Sequence, residues 1–293
     1  MRQWIRKVKL TAKGDGGSII INEGMAITEH ELKIAFDVSK GINSSQNTAS
    51  IEVWNLSEGH RNMMGKELDD MTLEAGYISD GGNVGIIFNG QIRDVEHRRD
   101  GMDIITKLQC GDGDKAFRRS TISKTFPKGT KVEDVVDELY KEFEKENVKS
   151  GERKYPPDMP EFKRPYSMCG SCVRELDRLG RGKGFYWSVQ NGTFEVVPSN
   201  GYIGDIVVLS ADTGLIDTPT ITDNGVKVTA LLNPEIRPNR RIRVISEVLE
   251  MNAEGGDYRV SQVAFSGDNR QGDFRVEVHG EAIKGSKVDE GKK

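Results

Sequence analysis

Met102, Ile104, Thr106, Leu108 and Cys110 fall on alternate positions, with Asp103, Lys107 and Gln109 between them and Ile105 alone out of step. A period of two sends successive side chains to opposite faces of a strand, so such a run buries one face and wets the other. The same alternation, broken by turn residues, runs from the start of the chain to about Asp112, with candidate strands at 4–10, 18–22, 32–38, 50–55, 71–75, 84–88, 91–97 and 102–110. Many short, half-buried strands in one segment predict an antiparallel sheet curled into a barrel or sandwich. Arg99-Asp100-Gly101 supplies hairpin chemistry, because glycine reaches positive φ without a Cβ clash. Gly90, between Phe88 and Ile92, reads as a bulge or bend that lets the sheet curl. Ser57 is placed to cap a short helix over 58–66.

The texture changes near Phe126. Thr130-Lys131-Val132-Glu133 has the spacing of a capping box and predicts a helix start. Val132, Val135, Val136, Leu139, Tyr140 and Phe143 then form one apolar stripe at helical spacing, opposite a face of Lys, Glu and Asp. Four prolines and many charges over 149–165 predict a loop. A second helix is expected over 167–179, stopped by Gly180, Gly182 and Gly184, and a hairpin over 185–189 and 193–197 turns at Asn191-Gly192. Strand alternation returns at 206–209, 226–232, 241–245, 258–265 and 274–278, and 116–122 is also strand-like. The expected fold is therefore mainly β with a helical insert (α+β). Its organisation is a first β-barrel at 1–112, a second, discontinuous one at 113–125 with 203–282, a helix-helix-hairpin insert at 126–202, and a mobile tail at 283–293.

Few of the possible reactive groups form a constellation. Lys and Arg total 42 against 46 Asp and Glu, a net −4, which argues against a general nucleic-acid binder. Three cysteines in 293 residues fit a reducing cytosol rather than a disulfide framework. Neither a signal-peptide start nor a membrane-length apolar run is present, so no membrane insertion is expected. Cys169-Gly170-Ser171-Cys172 has redox spacing, but a redox pair needs an exposed thiol at a helix start. Cys169, Cys172, Val173, Leu176 and Leu179 instead share one helical stripe, which reads as core. A zinc site lacks its four ligands, and His30, His60, His97 and His279 are scattered, so neither metal nor cofactor is expected. Gly180-Arg181-Gly182-Lys183-Gly184 follows a helix instead of preceding one, which makes it a C-cap and not a phosphate loop. No carboxylate pair can be placed for acid–base work, and no catalytic residue is assigned. Arg237, Arg240, Arg241 and Arg243 crowd one turn and strand, as a subunit interface or, in the favoured reading, as a solvated loop.

Several stretches, taken together in order, carry a resemblance. They are Ser50-Ile51-Glu52-Val53-Trp54-Asn55-Leu56, Ile87-Phe88-Asn89-Gly90-Gln91-Ile92, the run from Cys172 to Leu179 leading to Phe185-Tyr186-Trp187-Ser188-Val189-Gln190-Asn191-Gly192, and Pro219 to Asn224. The series continues with Gly225-Val226-Lys227-Val228, Leu231-Leu232-Asn233-Pro234-Glu235-Ile236-Arg237-Pro238 and Phe265-Ser266-Gly267-Asp268. It resembles the baseplate hub proteins of contractile-tailed bacteriophages, relatives of the hub part of secretion-system spike proteins. The resemblance implies a homotrimer in which each chain brings two tube-like β-barrels, so that three copies match a sixfold tail tube above and a threefold central spike below. It further implies a virion protein of the tail baseplate, assembled in the host cytoplasm. The implied partners are the spike, the tail tube protein, tape-measure and baseplate wedge proteins, with DNA only in transit. Alternative readings are a thiol oxidoreductase using Cys169 and Cys172, a tail-tip peptidoglycan hydrolase, and the hub of a secretion-system spike.

Overall fold

The structure is a computed structural model, and it describes residues 5–24, 31–42, 45–78 and 82–282. The Trp4 end of the first expected strand, His30 and the tail from Ile283 lie outside the described residues.

Among the described residues the architecture is mainly β, with mostly antiparallel sheets and four α-helices. The first seven strands are β1 (Arg6–Gly14), β2 (Gly17–Ile21), β3 (Ile34–Gly41), β4 (Thr48–Trp54), β5 (Asp70–Tyr77), β6 (Gly85–Asp100) and β7 (Asp103–Gly111), with helix α1 (Glu58–Met63) between β4 and β5. Next come α2 (Asp114–Arg119), β8 (Thr121–Phe126), α3 (Val132–Glu144), β9 (Lys149–Arg153), β10 (Tyr166–Ser171), α4 (Cys172–Lys183), β11 (Phe185–Gln190) and β12 (Thr193–Pro198). The described residues end with β13 (Ile206–Leu209), β14 (Thr220–Thr222), β15 (Gly225–Leu231), β16 (Arg241–Val244), β17 (Asp257–Asp268) and β18 (Phe274–Glu281).

Thirteen strands form one sheet in the order β14-β15-β18-β17-β3-β4-β7-β6-β5-β1-β2, with β16 pairing β17 and β13 pairing β16. Where two tube-like β-barrels are expected, no sheet closes into a barrel among the described residues, and the two β regions are joined in one sheet. The reason is the length of β17. Its first residues pair β16, and its second half, Gln262 to Asp268, pairs Gly41 to Ala35 of β3, stitching the C-terminal strands onto the N-terminal ones. Alternation in a sequence shows which face of a strand is buried, whereas closure depends on which edges meet.

The alternation itself is realised. Ile34, Phe36 and Val38 of β3 point into the same apolar core as Val226, Val228 and Ala230 of β15 and Val276 and Val278 of β18. Met102, expected on the inner face of β7, instead sits in the Gly101-Met102 turn, 96% exposed. The expected strands at 84–88 and 91–97 are one sixteen-residue strand, β6, with register shifts between Phe88 and Ile86 and between Ile92 and Asp94. Gly90 lies between these two bulges. A Cβ there would stand 2.4 Å from the Gly111 carbonyl oxygen, so only glycine admits the close approach of β6 to β7.

The middle of the chain builds a second core. Val132, Val135, Val136, Leu139, Tyr140 and Phe143 are the buried face of α3, the stripe read from the sequence. They pack with Phe117, Trp187 and Phe194 in a cluster of edge-on and stacked rings whose centroids lie 5.5–6.1 Å apart. Local details differ from expectation. The capping box does not form, because the Thr130 hydroxyl donates to the Pro127 carbonyl (2.8 Å) and α3 begins without a side-chain cap. Residues 116–122 are the end of α2 and the start of β8 rather than a strand, and Ala116 and Ile122 belong to this second core. The expected loop at 149–165 begins with β9, which adds in parallel to β12. The second helix starts five residues late, at Cys172. It runs through Gly180 and Gly182 and stops at Gly184, whose φ of 73° forms the left-handed cap.

Candidate functional site

No catalytic constellation emerges around the expected lure. Cys169 lies exposed on β10, not on the helix, so the stripe it was expected to share begins at Cys172. Cys172 is buried at the start of α4, and burial pushes its thiol up to about 12, the opposite of what a redox nucleophile needs. Cys110 is likewise pushed up to about 12 by burial. Among the described residues, no group of three or more His, Cys, Asp or Glu side chains could hold a metal ion, and no helix is long and apolar enough to cross a membrane.

The unusual chemistry lies where the two cores meet. Their apolar clusters are separate. Between them runs a seam of buried polar side chains, built by the β11–β12 hairpin on one side and the large sheet on the other. Asn191 and Gly192 adopt φ of 53° and 74°, the paired left-handed conformation of a tight hairpin, which turns both backbone N–H groups outward. Asp112, which is fully buried, accepts both: 2.6 Å from the Asn191 N–H and 2.8 Å from the Gly192 N–H. Lys40, 2% exposed, donates through Nζ to the Asn191 side-chain oxygen (2.6 Å) and the Ile87 carbonyl (3.1 Å). Asn47 donates to the Val189 carbonyl (2.7 Å) and Gln190 donates to the Gly41 carbonyl (2.7 Å).

Two further clamps hold the far end of the hairpin. Arg240 Nη1 donates to Glu195 Oε2 at 2.6 Å, and Asn239 Nδ2 donates to the same oxygen at 3.2 Å. Arg259, buried on β17, donates to the Ser199 carbonyl (2.9 Å), the Gly201 carbonyl (3.1 Å) and Glu281 Oε2 (2.7 Å), and its guanidinium lies 5.2 Å from the Tyr186 ring centre. Burial dominates the electrostatics. Desolvation pushes the Asp112 carboxyl up, against the pull of Lys40 and the two backbone N–H groups, and pushes the Lys40 ammonium down, against the pull of Asp112. The seam can therefore hold a hairpin in one register, but each charge in it is kept at a desolvation cost.

The four arginines singled out from sequence separate here. Arg240 faces the hairpin, as above. Arg243 is exposed and makes a two-pronged pair with Asp257 (2.6 and 2.9 Å), while Arg241 lies 4.2 Å from the Tyr202 ring centre. Arg237 is half-buried and donates to the Pro234 carbonyl at 3.2 Å; burial and the neighbouring Arg240 lower its pKa. Lys40, Asn47, Asp112 and Arg259 were not singled out. Lys40 carried a readable signal, since it follows Ile34, Phe36 and Val38 at the next inward position of β3. Asn47 and Asp112 sit in connections, where period says nothing.

The fold matches known structures at low identity. A 43 kDa tail protein of prophage MuSo2 from Shewanella oneidensis is 12% identical with a TM-score of 0.60, covering 94% of this chain and 98% of that one. The tail protein from Neisseria meningitidis MC58 is 11% identical at 0.61, covering 95% and 97%. The E. coli c3393 protein, a component of the type VI secretion system with structural similarity to T4 tail proteins gp27 and gp5, is 9% identical at 0.62, covering 90% and 78%. No curated protein sequence matches. The family model described as baseplate hub gp41 matches residues 16–280, nearly the whole of the chain, and the chain belongs to that family.

Proposed function

We propose that the chain is the trimeric hub of a phage tail baseplate, adapting a sixfold tail tube to a threefold central spike and lining the channel between them. Family membership gives it a structural part in a phage tail. The observation that carries the finer reading is the pairing of β17 with β3, which sets seven N-terminal and six C-terminal strands side by side in one sheet. Two comparable β regions per chain, repeated three times, supply six around an axis, and cyclic symmetry then closes the ring. The helical insert, docked through the polar seam, sits beside this sheet as a separate body with its own core.

In this reading the partners are the spike, the tube protein, tape-measure and wedge proteins, and the DNA passes without being bound. Three copies carry a net −12, and an acidic bore repels DNA phosphates. Of the four arginines, Arg243 retains exposure for a subunit contact, while Arg240 is committed to Glu195 within the chain. The virion baseplate is the proposed location. Electron microscopy of the purified chain with its spike tests the reading. Three copies forming a ring with six similar lobes is expected; a ring of another order, or a strongly positive lumen, counts against it.

A further inference from the structure

Two surfaces carry charge that no described residue pairs, and they are opposite in sign. The first is the end of the large sheet formed by β13, β14 and the connection after β16. Neither 204–226 nor 244–256 contains a Lys, Arg or His. The connection is held against both strands, since the Ile245 N–H donates to the Leu209 carbonyl (2.9 Å) and Asn252 Nδ2 donates to the Thr222 carbonyl (3.1 Å). Asp205, Asp212, Asp217, Asp223, Glu247 and Glu250 are all exposed there, and none makes an ion pair with a described residue. Large apolar side chains stand exposed among them: Ile216, Ile221, Leu249 and Val248, the last 76% exposed. No described strand pairs the outer side of β14. Unpaired acid, bare aliphatic surface and an open edge together mark a contact surface rather than a solvated one.

The second surface is the tip of the insert. The Gly129 N–H donates to the Phe162 carbonyl (2.8 Å) and the Phe162 N–H to the Thr130 carbonyl (3.0 Å), which zips two connections together. Lys128, Lys131, Lys163 and Arg164 thereby gather on exposed positions with Glu161 as the single carboxylate in 126–131 and 161–166, and none of the four cations makes an ion pair with a described residue. Phe162 and Tyr166 stack at 4.3 Å between centroids, and Lys183 lies over the Phe162 ring at 5.4 Å. Cations around a half-buried aromatic pair, packed at the rim of the insert core, suit a partner that is both acidic and apolar.

We infer that these surfaces are the two halves of one contact between copies of this chain: the cationic, aromatic tip of one insert seats on the acidic, aliphatic sheet end of the next copy. The contact is head-to-tail, so it extends around an axis and closes when the rotation returns to the start. It rests on the trimer reading, in which closure comes at three copies. Complementary charge sets the register and the rate of association, and the aliphatic and aromatic groups supply the dry centre.

Charge reversal tests it, on the full chain by sedimentation equilibrium at low salt. Glu247→Lys with Glu250→Lys, and separately Lys163→Glu with Arg164→Glu, are each expected to weaken self-association by about tenfold or more. The chain carrying all four substitutions restores opposite charge across the contact and is expected to recover to within a few-fold of the natural protein. Circular dichroism melts of all three variants should match the natural chain, because the four positions are exposed and make no ion pair with a described residue. Trimers unaffected by either double reversal, or a fourfold variant as weak as the doubles, overturn this contact and leave the trimer standing. A natural chain that stays monomeric at every concentration, alone and with the spike, overturns both.

Discussion

The large sheet and the insert are held together in themselves by apolar packing, yet they are held to each other by polar groups. Within the sheet, strands from both ends of the chain share one hydrophobic cluster, which joins the N-terminal and C-terminal β regions. At the seam the contacts are Asp112 with two backbone N–H groups, Lys40 with Asn191, and Arg259 with three carbonyls. Apolar contact is non-directional and tolerates sliding, whereas hydrogen bonds to a tight turn are satisfied in one register and leave buried orphans in any other. The sheet is thus built for cohesion and the seam for placement.

The largest expected effect separates the two bodies outright. Phe143→Ala removes the ring at the centre of the insert cluster and should cost about 3–5 kcal/mol. Calorimetry is expected to show a low-temperature transition for the insert while the sheet keeps its own; a single transition shifted as a whole would merge the two regions into one. Asp112→Ala strikes the seam itself. It strands the Asn191 and Gly192 N–H groups in a buried place and should cost about 3 kcal/mol, read as faster amide exchange at those two residues with little change in the sheet. Gly90→Ala acts within the sheet, where the new methyl group meets the Gly111 carbonyl, and a loss of about 1–3 kcal/mol in a denaturant titration is expected.

A smaller effect is pH-dependent. Burial lowers the Lys40 pKa to about 8, below its value in the unfolded chain. Between about 8 and 10 the unfolded state therefore binds a proton that the native state has released, and stability attributable to this group rises with pH, by at most about 1.4 kcal/mol per unit. Asp112 has the reverse sign. Its raised pKa means that its contribution falls as pH rises from about 4 to about 6. Lys40→Met should remove the alkaline gain relative to the natural chain; an unchanged slope would show that Lys40 is solvated. Smallest of all, Arg243→Ala breaks an exposed pair with Asp257 and should shift stability by less than about 1 kcal/mol.

What the sequence made legible follows the physics of period. The stripe of α3 and the inward faces of β3, β7, β15 and β18 could be read because burial repeats at 3.6 or 2 residues. The turn at Asn191-Gly192 could be read because few residue pairs adopt two positive φ angles in succession. The single sheet could not, since nothing local in β17 says that Phe265 will face Val38 across more than two hundred residues. Cys169 was misplaced because a six-residue strand and the first turns of a helix carry the same short apolar signal. Most of the seam escaped for a related reason. Asp112 and Asn47 act from irregular backbone, where identity without position tells little, and only Lys40 broke a visible pattern.

Both β regions are expected to behave as one body and the insert as a second. Amide exchange along the full chain tests it most directly. The paired segments 35–41 and 262–268 should open with the same free energy, above that of 132–144. Should 35–41 open together with the other N-terminal strands while 262–268 stays protected, the shared sheet would be contradicted.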